Sequence, residues 1–276
     1  VGEGNNGAGG DVSVNAGKTT ASNSAGGVVT LQSGASTQGR SGKISLNTLD
    51  GGVSGDIEME TGATTGGTSG IITLSTGNAV GGKGGSITLS VGEGKTGIGG
   101  NVIINAGVSS TTDSTGGIVS IQSGKGTSKS SGAVSISTSD GGTSSGVSGN
   151  IELSTGATTA GAGNTGTISF TSGKAGSGKG GSITLSVGEG DSGAGGDVSV
   201  NAGKTTANTN NGIGGAIKIA SGESEEKASG AVSINTPDGG NAGISGNIEL
   251  STGATTGGDT GTISFSSGKA GSGKGG

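Results

Sequence analysis

The chain has no cysteine, histidine, tryptophan or tyrosine, and its 276 residues include one proline and two phenylalanines, Phe170 and Phe265. Each absence closes a class of chemistry. Without cysteine there is no disulfide framework, thiolate nucleophile or cysteine metal site. Without histidine there is no imidazole base and no usual zinc ligand. Hydrophobic residues make up only 26%, too few for an ordinary globular core in a chain of this length. Charged residues make up only 12%, too few to hold a disordered chain open by self-repulsion. The 14 basic and 19 acidic residues form no basic stripe, and stacking aromatics are lacking, so nucleic-acid binding is not expected. No apolar run approaches the length of a membrane span.

What the chain does have is glycine, 71 residues of it, arranged in a repeat. VGEG opens at Val1, Val91 and Val187, each time followed by GG, an alternating run and NAG. The offsets of 90 and 96 residues divide residues 1–276 into super-repeats 1–90, 91–186 and 187–276, read as one continuous array. GKGG at Lys83 and Lys179 is followed by SITLSVGEG, whereas the last copy stops at GSGKGG. The expectation is that the chain is a window on a longer tandem array.

Within each super-repeat a finer unit recurs: a small pair such as GG or SG, then two apolar residues separated by one polar residue, then a small residue and glycine. In the first super-repeat the apolar pairs are Val12 and Val14, Val29 and Leu31, Ile44 and Leu46, Ile57 and Met59, Ile72 and Leu74, Ile87 and Leu89. The second has Val102 and Ile104, Val119 and Ile121, Val134 and Ile136, Ile151 and Leu153, Ile168 and Phe170, Ile183 and Leu185. The third has Val198 and Val200, Ile217 and Ile219, Val232 and Ile234, Ile248 and Leu250, Ile263 and Phe265. This two-residue alternation, rich in β-branched side chains, reads as strands with one apolar face. The mean spacing between units is about 15.7 residues. That suits a coil with a return leg better than a hairpin meander, whose connections favour two to five residues. The sequence therefore predicts an all-β fold, a narrow parallel β-solenoid (β-helix) of about 16 residues per coil and six coils per super-repeat. The apolar pairs would form its core ladder, and rungs ~4.8 Å apart would give a rod roughly 80 Å long. One coil cannot fold alone, and no polar cap is visible at either end, so self-association is expected, end to end and as a further option side by side.

Candidate sites are few. Gly-Lys-Thr occurs at Lys18, Lys95 and Lys204, but a phosphate loop needs glycine six positions earlier, where Val12, Leu89 and Val198 stand. Asp11, Asn101 and Asp197 follow Gly-Gly at strand starts, yet the period and the missing carboxylate rows do not suit calcium. Asp50, Asp140 and Asp238, each in DGG, recur once per super-repeat and read as turn residues. Glu58, Glu152 and Glu249 are spaced too far apart in a stack to act as a carboxylate pair. No catalytic, cofactor or metal residue is assigned, and the chain is not read as an enzyme. The remaining outward positions carry Ser, Thr, Asn and Gln, a face suited to O-linked sugars; no Asn-x-Ser/Thr sequon occurs.

The combination of GGSITLSVGEG, GGDVSVNAGKTTA and SGNIELSTGATTGG resembles the glycine, serine and threonine-rich repeats of algal and protist surface proteins of wall and flagellar-hair type. The resemblance spans the chain and transfers no site residue. It implies an extracellular or cell-surface structural setting. The function expected on these grounds is a segment of an extracellular fibre or surface scaffold built by stacked coils. The alternative is an adhesin stalk or a module that binds a glycan or ice surface.

Overall fold

The structure, a computed structural model, describes residues 9–111, 113–158, 163–207 and 212–273. The first VGEG copy and the last three residues of the terminal GSGKGG lie outside them. The chain forms two units, Val1–Ser135 and Ile136–Gly276. Their boundary falls inside the second super-repeat, between Ser135 and Ile136.

Both units are built the same way. Straight runs coincide with the alternating segments, and bends or turns fall between them. In the first unit these lie at 21–23, 37–39, 51–53, 65–67, 80–82, 95–97, at 111 and 113, and at 127–129. In the second they lie at 143–145, 176–178, 191–193, 225–227, 241–243, 256–258 and 271–273. Three bends use residues with positive φ: Gly67 at 134° and two that are not glycine, Asn23 at 61° and Ser145 at 65°. Asn tolerates this left-handed conformation well; Ser145 adopts it in a glycine-rich surface turn.

The predicted β-solenoid is not formed. Among the described residues there is no β-strand and no helix, so there is no sheet, no β-helix and no stack of coils. The physical reason lies in the backbone. A strand exists only where its N–H and C=O groups meet a second strand in register. Here the backbone bonds outside regular elements join loop and neck glycines such as Gly17 and Gly27 instead of segment to segment. The alternation is satisfied locally and never completed by a neighbour.

Nor is there a buried core. No described residue is buried, hydrophobic or polar. The pairs assigned to the ladder, from Val12 and Val14 to Ile263 and Phe265, are all exposed, the first member generally less so than the second: Ile44 is 45% exposed and Leu46 69%. The residues of intermediate exposure are small ones in the loops or at their ends, among them Thr19, Ser33, Ala106, Ser123, Thr205 and Thr236. The chain exposes 27017 Å², against roughly 10,000 Å² for a folded monomer of this mass and roughly 36,000 Å² for a fully open chain. Two apolar side chains per sixteen residues, with abundant glycine to order, do not drive closure of a core.

Candidate functional site

The recurrent feature is the closure of each loop at its neck. A segment ends in a small residue, usually followed by glycine, and the next begins after GG, SG or a similar pair. In the structure these two places meet in every interval between successive segments. The Gly27 N–H donates to the Gly17 carbonyl at 2.8 Å, and the equivalent bonds in the later super-repeats, Gly117 to Gly107 and Gly215 to Gly203, have the same length. The next neck is also conserved in geometry: Gly42 to Gly34, Gly132 to Gly124 and Gly230 to Gly222, each 2.9 Å. Glycine is required there by close approach, since a Cβ on Gly27 would stand 2.9 Å from the Gly17 nitrogen and 3.2 Å from the Ala16 Cβ.

Of the remaining necks, that of Thr76 and Gly85 adds a bond from Thr76 Oγ1 to the Gly85 carbonyl at 3.4 Å, and the others close by van der Waals contact. The Thr61, Thr155 and Thr252 methyls face Gly70, Gly166 and Gly261, and Val91 and Val187 face Gly100 and Gly196. Such closed excursions with adjacent ends are small Ω-loops. Hydroxyls brace them from inside. Ser36 Oγ accepts the Gly39 N–H at 2.9 Å, and at the equivalent place Ser224 Oγ accepts that of Lys227 at 3.0 Å. Thr64 Oγ1 donates to the Gly67 carbonyl at 2.9 Å, and Thr255 makes the same bond to Gly258. Thr19 and Thr205 accept from Ala21 and Ala207, each at 3.2 Å. These short side-chain bonds to nearby backbone are how Ser and Thr favour turns over regular structure.

Asp50, Asp140 and Asp238 lie exposed in three equivalent loops, whose necks pair Thr48 with Gly55, Thr138 with Gly149 and Thr236 with Gly246. Backbone closes the second and third of these turns, Gly146 donating to Gly142 at 3.1 Å and Gly243 to Gly240 at 3.0 Å. Lys18, Lys95 and Lys204 are exposed loop residues, and Glu58, Glu152 and Glu249 are exposed on their segments. Asp11, Asn101 and Asp197 are exposed as well. The structure therefore brings none of these groups into a shared pocket. Among the described residues there is no enclosed cavity and no cluster of three acidic side chains able to hold a metal. No helix there is long and apolar enough to cross a membrane.

Polar groups on the segments organise one another instead. Asn15 Nδ2 donates to Ser13 Oγ at 2.7 Å, and Asn201 Nδ2 to Ser199 Oγ at 2.9 Å. Partners two residues apart stand on one side of an extended run, so the alternation of the sequence survives as alternation in space. The arrangement can display rows of hydroxyl, amide and apolar groups to solvent. The necks are the recurrent structural element that alternation alone does not reveal. Their signal was present as a small residue plus glycine answered seven to twelve residues later by a small pair. The chain matches no family model, no curated protein and no solved structure.

Proposed function

We propose that the chain is a structural protein, a segment of an extracellular fibre or surface scaffold in which straight runs alternate with closed glycine loops. The observation that carries this reading is the recurrence of a closed neck in every interval, with the same backbone hydrogen bond, of equal length, at the first and at the second neck of each super-repeat. A repeating device suits a role spread along the chain, whereas a site for one ligand breaks a repeat. The resemblance to algal and protist surface repeats supports the extracellular setting. Self-association serves the fibre, and exposed Ser and Thr rows offer acceptors for O-linked sugars. The reading is tested by immunogold electron microscopy of the producing cells with antibody to the full chain. Label along wall or surface filaments is expected; label confined to the cell interior would contradict it.

A further inference from the structure

We propose that the apolar rows of the straight segments are covered by a second copy of this chain, beginning at the two identical SITLS segments, 86–90 and 182–186. This deepens the scaffold reading and rests on it by naming the surface through which copies meet.

Three observations carry the inference. The first is a face without a cover. Ile87, Leu89, Ile183 and Leu185 are exposed on segments whose backbone enters no ladder. Unpaired N–H and C=O groups on a straight, apolar segment are a template for strand addition. The second is area. The surface exposed beyond that of a folded monomer is of order 17,000 Å², about tenfold what a specific stable interface buries. The third concerns the occupant. GGSITLSVGEG occurs twice without change, and its SITLS core holds neither charge nor proline, the composition that lets identical segments interdigitate. A second copy brings the same length, the same alternation and the same spacing of segments, so one contact aligns the next. Segments with Glu58, Glu152 or Glu249 at their centres would set like charges together when paired with themselves. Association therefore starts at the uncharged segments.

The experiment compares three full-length chains by sedimentation velocity over a concentration series: the natural chain, the double variant Ile87→Lys with Ile183→Lys, and a control with Val80→Lys and Ile98→Lys. The control adds the same charge at fully exposed loop positions. The natural chain and the control are expected to associate, and the double variant to need about tenfold or more higher concentration, because a lysine would be buried unpaired at the interface. Hydrogen exchange at the Gly117 amide, unchanged in all three, shows that the loops are intact. Equal loss in variant and control would overturn the proposal, since charge alone would then govern association. So would a natural chain that stays monomeric throughout, or one that binds neutral phosphatidylcholine vesicles and not itself. A monomeric chain on an immunogold-labelled surface would overturn this inference while leaving the scaffold reading standing.

Discussion

The loops and the straight segments obey opposite rules. In the loops, polar and glycine residues of little hydrophobic value make the backbone bonds and the closest contacts. In the segments, the most hydrophobic residues of the chain make no core. The difference is one of distance along the chain. A neck joins residues eight to twelve apart in its hydrogen-bonded form, as in Gly34 with Gly42 and Gly203 with Gly215, so the entropy lost on closure is small. A ladder must align whole segments, and its gain comes only after several have been ordered. Local closure is therefore reached while non-local pairing is not.

The strongest way to break this contrast is to fill the necks. Gly27→Val, Gly117→Val and Gly215→Val together place side chains where the Gly17, Gly107 and Gly203 nitrogens already stand close. Each neck should open, with a loss of about 1 kcal/mol, seen as hydrogen exchange at these three amides rising to the rate of an open chain. A smaller effect is expected at the methyl-closed necks. Thr61→Ser, Thr155→Ser and Thr252→Ser remove the methyl that faces glycine, while valine at the same positions retains it. A few tenths of a kcal/mol per neck, read as weakened contacts between Thr61 and Gly70 by nuclear Overhauser effects, should separate serine from valine. The smallest effect belongs to the segments. Ile168→Ala in the dilute chain should change nothing beyond about 0.5 kcal/mol, where a buried isoleucine would cost about 2–5 kcal/mol. Circular dichroism across a urea series checks this, and a large loss would show that Ile168 has a cover.

Part of this organisation was legible in the residues. The alternation placed the straight runs at Val12–Val14, Ile87–Leu89 and Ile263–Phe265, and the glycine-rich intervals placed the bends between them. The pairing of runs was not legible, because alternation says which side of a segment is apolar and nothing about whether another segment lies beside it. The reading of a solenoid supplied that neighbour from the regular spacing, and spacing alone does not close a ladder. The necks are not legible for a different reason. Ala16-Gly17 and Gly26-Gly27 look like ordinary loop residues, and only their separation, repeated at Ala106-Gly107 with Gly116-Gly117 and at Ala202-Gly203 with Gly214-Gly215, marks them as partners. Asp50, Asp140 and Asp238 read as turn residues from their recurrence in DGG; each precedes a bend or turn, and those beside Asp140 and Asp238 are closed by backbone glycines.

The central claim is that this chain is ordered at its necks and open along its segments. It is tested most directly by residue-resolved hydrogen exchange on the dilute, monomeric full-length chain. The account expects about two- to tenfold protection at the amides of Gly27, Gly42, Gly117, Gly132, Gly215 and Gly230, and none through segments such as 28–32 and 86–90. Continuous protection through those segments, equal to or above that of the necks, would reveal a backbone ladder and contradict it.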